Sequence, residues 1–328
     1  MGGSSSKPIK YLAEFENNLP SLENKVVAIT GCTSGTGLVA AKVTARKGAT
    51  TILLLNRPSP RAENAEKEVR AEIPEGAKTT VETIPCDLQD FDSVRSAVKQ
   101  IKSKYEAVDV LCNNAGVMAM DDLATKDGYD VQMQTNHLSH FLLTKELFPL
   151  LQKAKELRGE ARIANHSSMA RTGGLLKPEF FGKNGGNLGG NGGSMLTGGG
   201  GNWERYHQSK LANAVFTLAL NDKLKDSGIK ATCAAPGYSM TSLQTTSQGM
   251  NGAMWTTMMA QSAEDGTMPI LQACYGAGVE SGDFWEPTKR GHTVGPAGKV
   301  DLAKECTDEE SRKMLWETSE EACGKWSL

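Results

Sequence analysis

The chain has 328 residues, compatible with one large α/β domain or two small ones, and a nearly balanced formal charge of −2. It has no basic surplus and no Lys/Arg stripe interleaved with aromatics, which argues against nucleic acid as a partner. Seven scattered cysteines, with no Cys-x-x-Cys pair, argue against zinc and a disulfide framework and suggest a reducing, cytoplasmic setting.

Residues 1–24 read as a tail with a short amphipathic piece around Tyr11 to Phe15. The opening Met1-Gly2-Gly3-Ser4-Ser5-Ser6-Lys7 fits the acceptor pattern for N-myristoylation, and also reads simply as a Ser/Gly tail. One such acyl chain gives only weak membrane association. No apolar run approaches the roughly 18–20 residues that span a bilayer.

Apolar runs predict strands over 25–30, 51–55, 80–85, 108–112, 161–166 and 230–234. Between them, helical spacing predicts helices over 38–47, 63–73, 92–105, 131–151 and 203–225. Strands alternating with helices imply βαβ units, hence a doubly wound α/β fold around a parallel sheet, with ligands at the carboxyl ends of the strands. Two stretches break the rhythm. Gly173 to Gly201 is a Gly/Asn-rich insertion that cannot bury a core of its own, and Ser239 to Met268 is rich in methionine. The second reads either as core packing or as a lid over a large apolar substrate.

Thr30-Gly31-Cys32-Thr33-Ser34-Gly35-Thr36-Gly37 follows a strand and opens a helix. Gly31 suits a tight turn, Gly35 lets backbone approach a phosphate, and Gly37 lets helix pack closely on strand. Thr33 and Ser34 belong to the same phosphate-facing turn, at a helix N-terminus that carries partial positive charge. At the end of the second strand, where a carboxylate would hold an NAD ribose, stand Asn56 and Arg57. An arginine there suits a 2′-phosphate, so NADP(H) is expected. Asp87 is placed to touch the adenine. Asn113, Ala115 and Gly116 end the fourth strand, where small residues leave room for a cofactor, and Pro236-Gly237 stops the sixth.

Tyr206 and Lys210 lie one turn apart on one face of the last long helix. A nearby cation favours phenolate over phenol, so Tyr206 is a candidate acid/base with a pKa far below its free value of roughly 10. His137 and His140 share a helix face, but satisfied packing histidines are the expectation and no metal site is assigned.

The Gly31 turn, Asn113-Asn114-Ala115-Gly116, Ser167-Ser168, Tyr206/Lys210 and Pro236-Gly237 stand in the order seen in short-chain dehydrogenases/reductases, which the chain resembles over roughly residues 25–240. The resemblance implies a Rossmann-type single domain and a catalytic tetrad of Asn136, Ser168, Tyr206 and Lys210, with Ser167 as the fallback for the serine. It implies that Ser168 binds the substrate oxygen and that Tyr206 is the general acid/base. Lys210 would lower the Tyr206 pKa and hold the nicotinamide ribose, and Asn136 would position a water. It also implies a homodimer through the helices carrying Asn136 and Tyr206.

Asn136-His137-Leu138-Ser139-His140-Phe141, Ser209-Lys210-Leu211-Ala212-Asn213 and the tail around Trp316 look like retinol dehydrogenases and related carbonyl reductases. The insertion before Tyr206 looks like light-dependent protochlorophyllide reductases, but Ala212 and Ser168 depart from their usual pattern. The leading expectation is an NADP(H)-dependent enzyme interconverting a lipophilic aldehyde or ketone with its alcohol. A C=C reductase and a catalytically idle NADP(H)-binding partner are the alternatives.

Overall fold

Among the described residues one sheet holds eight strands: β1 (Val26–Thr30), β2 (Thr51–Asn56), β3 (Thr80–Pro85), β4 (Val110–Asn113), β5 (Ala161–His166), β6 (Ile229–Ala234), β7 (Phe284–Lys289) and β8 (Val294–Val300). The structure, a computed structural model, describes residues 7–193, 200–239 and 260–328. The strand order is β3-β2-β1-β4-β5-β6-β7-β8, parallel throughout except for the β7–β8 pair. The chain runs outward from β1 to β3, then crosses back to β4 on the other side of β1. That reversal opens a crevice at the carboxyl ends of β1 and β4. Every residue of β2 and β5 is buried, as both faces of a parallel sheet require.

The flanking helices are α1 (Leu12–Asn17), α2 (Gly35–Arg46), α3 (Pro60–Arg70), α4 (Phe91–Lys104), α5, α6 (Gly201–Lys223), α7 (Ala263–Tyr275), α8 (Lys304–Thr307) and α9 (Glu309–Cys323). Helix α5 comprises Val131–Met133, a wider π turn over Gln134–Leu138, and Ser139–Arg158. One core lies between the sheet and α4, α5 and α6, around Leu111, Phe141, Ile163 and Phe216. The other lies under α2 and α7, around Ile29, Leu54 and Met268.

The first six strands fall within two residues of their expected places; β7, β8 and the helices from α7 onward were not foreseen. Helix α3 starts earlier than apolar spacing suggests because Ser59 caps it, accepting from Ala62 N at 3.2 Å, with Pro60 in the first turn. Residues 7–24 lie against the body. Leu12, Leu19 and Leu22 are buried, and the Asp265 carboxylate accepts from the N–H groups of Lys10, Tyr11 and Leu12. Gly2 lies outside the described residues, as does most of the methionine-rich segment (240–259); Met268, at its end, is core. No helix among the described residues is long and apolar enough to cross a membrane.

Helix α9 and the segment after it lie on α5 and α6. Trp316 packs 5.2 Å from Phe141 and stacks 5.2 Å from Trp326, which meets Phe148 at 5.6 Å. The chain's own C-terminal segment thus occupies surface on the two helices through which pairing was expected. Ser139, between the two histidines, is accommodated by donating to Leu88 O at 2.6 Å. His137 turns to Ser319 and His140 to Thr30, so the two rings diverge.

The described part of the glycine-rich insertion is pinned from below by Arg205. This fully buried guanidinium donates to Leu188 O at 2.7 Å, Gly190 O at 3.0 Å and Met120 O at 3.0 Å. It lies 3.1 Å from the Asp130 carboxylate and 3.6 Å from that of Asp122. Asp122 in turn accepts from Leu188 N and Gly190 N, while Asp130 caps the start of α5. Gly185 shows why the composition is glycine-rich: a Cβ there would stand 2.6 Å from Ala124 Cα and from Tyr129 O. Backbone packs on backbone.

Replacing Arg205 by methionine leaves two buried aspartates without their cation. We expect it to cost about 3–5 kcal/mol in urea denaturation and to raise hydrogen exchange at the amides of Leu188 and Gly190; an unchanged midpoint with unchanged exchange would refute the clamp.

Candidate active site

A cleft of about 1400 Å³ runs along the carboxyl ends of the parallel strands. Its floor is the turn between β1 and α2, where Gly31, Thr33, Ser34, Gly35 and Thr36 line it beside the N–H groups that open α2. Gly37 sits behind this turn, packed on Gly31 O and the Asn114 side chain. At the end of β2 the lining includes Asn56, Arg57, Ser59 and Arg61, and beyond β3 it includes Asp87. The Asn56 side-chain oxygen accepts from Cys32 N at 2.7 Å, leaving its buried amide nitrogen without a partner among the described residues. Asp87 accepts from Gln89 N at 2.9 Å.

Of the residues ending β4, Ala115 and Gly116 line the cleft and Asn113 does not. Asn113 turns into the interior and donates to Thr144 Oγ1 at 3.0 Å and Asn165 Oδ1 at 2.9 Å, tying β4 to α5 and β5. Asn114 faces the cleft instead, as the next residue along an extended chain must.

Ser168, Tyr206 and Lys210 come together at the far end of this cleft, beside Pro236 and Gly237. Tyr206 is buried and lines the cleft together with Ser168. Burial pushes the phenol above its usual 10, and the Ser168 side chain works the other way. This differs from the sequence expectation of a depressed value. The reason is that Lys210 Nζ points at a carbonyl, His166 O at 3.0 Å, rather than at the phenol. Burial brings the Lys210 ammonium down to about 8. The fallback serine, Ser167, is engaged elsewhere, donating to Lys210 O at 2.7 Å.

Asn136 lies in the π turn of α5, fully buried and away from the cleft lining. Its side chain clamps Val117, accepting from its N–H at 2.8 Å and donating to its carbonyl at 2.9 Å, and also donates to Ser209 Oγ at 2.8 Å. Its backbone carbonyl accepts from His140 Nδ1 at 2.9 Å. A Cβ at position 116 would stand 3.0 Å from Lys210 Nζ and 3.1 Å from Asn136 Oδ1, so a larger residue would make these groups shift.

Two residues that the sequence did not flag hold this geometry. Arg171 donates to Ser168 O at 3.1 Å, pairs with Glu286 of β7 at 2.6 Å, and lies 4.2 Å from the Phe284 ring centre. It anchors the short 3₁₀ turn (Met169–Arg171) that follows Ser168. Arg61 adds a second cation beside Arg57, and neither forms an ion pair among the described residues. An arginine four residues after the first is the signal the sequence offers. Around Tyr206 the lining includes the apolar Val117, Met118, Met120, Met169, Leu175 and Trp203, interspersed with Lys177, Glu204, His207 and Gln208. Such a site can hold a charged, elongated ligand along the sheet and an apolar one at Tyr206.

The sequence profile of the short chain dehydrogenase family matches residues 25–177. Human retinol dehydrogenase 13 is 30% identical over 322 residues, covering 93% of this chain and 86% of that protein. An uncharacterized oxidoreductase of Schizosaccharomyces pombe is 35% identical over 233 residues, 69% of this chain and 64% of that protein. A crystal structure of a protein from Mycobacterium paratuberculosis superposes with a TM-score of 0.72 at 30% identity, covering 95% of this chain and 98% of that one. The chain belongs to the short-chain dehydrogenase/reductase family of oxidoreductases.

Proposed function

We propose that the protein is an NADP(H)-dependent oxidoreductase that interconverts a lipophilic aldehyde or ketone with its alcohol, with Tyr206 as general acid/base. The observation that carries this reading is that Ser168, Tyr206 and Lys210 line one cleft together with a glycine-rich turn and several apolar side chains. The name of human retinol dehydrogenase 13, a protein similar over most of the chain, fits a lipophilic alcohol or aldehyde.

NADP(H) fits the residues present. The N–H groups opening α2 suit a pyrophosphate. Arg57 and Arg61, with the orphaned Asn56 amide, present donors and no carboxylate where a 2′-phosphate would lie. When bound, the nicotinamide supplies or accepts the hydride. The protein's own residues handle the proton. Because burial keeps Tyr206 protonated near neutral pH, it can give its proton to a substrate oxygen in the reductive direction. Ser168 donates to that oxygen and fixes its distance from the phenol. Lys210, charged below pH about 8 and held at the His166 carbonyl, would hold the nicotinamide ribose. Asn136 holds the 116–117 segment against which Lys210 rests.

Tyr206→Phe is expected to lower kcat by roughly 10²–10⁴ with NADPH affinity nearly unchanged; retained turnover on a panel of apolar aldehydes and ketones would reject Tyr206 as the acid/base. Arg57→Ala and Arg61→Ala should each weaken NADPH binding by about tenfold or more while leaving NADH binding unmoved. Equal losses for both nucleotides in a fluorescence titration would remove the 2′-phosphate reading. Reductive kcat should stay level at lower pH and fall as pH rises through about 8, where Lys210 loses its charge; a profile flat to pH 10 would contradict that role.

A further inference from the structure

One buried ring at the cleft has no part in the scheme above. His166 ends β5, is 7% exposed, and lines the cleft. Its backbone carbonyl takes the Lys210 ammonium at 3.0 Å, so its ring stands next to the proton-handling groups.

The protonation of that ring follows from its neighbours. The Asn114 amide nitrogen donates to Thr30 O at 2.9 Å and Gly31 O at 3.4 Å. Its oxygen is therefore the atom that receives Thr36 Oγ1 at 3.0 Å and faces His166 Nδ1 at 2.8 Å. An amide oxygen only accepts, so Nδ1 carries the proton. Burial and the nearby Lys210 charge bring the ring's pKa down to about 3, so it is neutral near pH 7. Nε2 is then a lone pair without a partner among the described residues, on a ring more than nine-tenths buried and facing the cleft. Such an acceptor repels phosphate and carbonyl oxygens and calls for a donor.

We propose that His166 Nε2 accepts a hydrogen bond from a hydroxyl of the nicotinamide-side ribose, which makes His166 a cofactor-binding residue. The proposal rests on the nucleotide reading above, which brings that sugar to Lys210. It completes a chain of fixed direction. Thr36 and His166 Nδ1 both donate to the Asn114 oxygen, and the sugar donates to Nε2. The glycine-rich turn, the end of β4 and the end of β5 then respond together to the presence of one hydroxyl.

The test compares wild type with His166→Asn, whose amide nitrogen can replace Nδ1 and keep the bond to Asn114 while the Nε2 acceptor is lost. Both are titrated with NADPH and with NADPH analogues lacking the 2′- or the 3′-hydroxyl of the nicotinamide ribose. Wild type should bind one deoxy analogue about tenfold more weakly than NADPH. H166N should bind NADPH about tenfold more weakly than wild type and lose that discrimination. Unchanged NADPH affinity in H166N, or discrimination equal to wild type, overturns the proposal. ¹⁵N NMR of the wild-type imidazole requires no substitution: the unprotonated Nε2 resonance should move on adding NADPH, and a resonance that stays put overturns the proposal equally. A wild type that binds no NADPH at all removes the nucleotide reading itself, and the His166 contact with it.

Discussion

One hydroxyl joins the elements that make the crevice. Thr30 Oγ1, at the end of β1, accepts from Asn114 N at 3.0 Å and Ala115 N at 2.9 Å, and so holds the end of β4 at a set height. It meets His140 Nε2 at 2.9 Å, whose other nitrogen donates to the Asn136 carbonyl. Burial brings that imidazole down to about 4, so it is neutral and carries its single proton on Nδ1. The Thr30 hydroxyl must then donate to Nε2. The glycine-rich turn, the Asn-Asn-Ala-Gly segment and the π turn of α5 are thus fixed relative to one another by atoms with no freedom to reverse their roles.

Around this hub the fold places cations where burial alone would forbid them. Arg205 lies among aspartates and loop carbonyls, Arg171 between Glu286 and the Phe284 ring, and Lys210 against a carbonyl. The arginines are satisfied on several sides and act as rigid joints. Lys210 donates to His166 O alone among the described residues, and its proton is the loosest of the three, as its lowered pKa reflects. A site that must hold a tyrosine and also tolerate a change of charge needs both kinds.

Much of this was legible in the sequence. Strands β1, β2 and β4 are largely apolar, as a parallel sheet covered on both faces requires, while β3, β5 and β6 carry Glu82, Arg162 and Lys230 among their apolar residues. The glycine turn, Ser168, Tyr206 and Lys210 are local patterns in local elements, and they do line one cleft. What escaped depends on contacts between distant parts of the chain. β8 (Val-Gly-Pro-Ala-Gly-Lys-Val) has too little apolar character to read as a strand, and it exists through pairing with β7. Asp265 holds N–H groups of residues 10–12 across some 250 positions. Spacing could not say which of Asn113 and Asn114 faces the ligand, since that turns on where β4 ends. The glycine-rich composition of the insertion implies no core of its own, yet Gly185 permits close backbone packing and Arg205 binds the loop carbonyls.

The aromatic seal over α5 and α6 has a kinetic side. Phe141, Phe148 and Phe216 leave the ribosome well before Trp316 and Trp326, so for part of translation that apolar surface is bare. A nascent chain in that condition is open to chaperone capture and to self-association. Helix α9 therefore does more than add packing: its arrival covers a surface on which the growing polypeptide would otherwise stick.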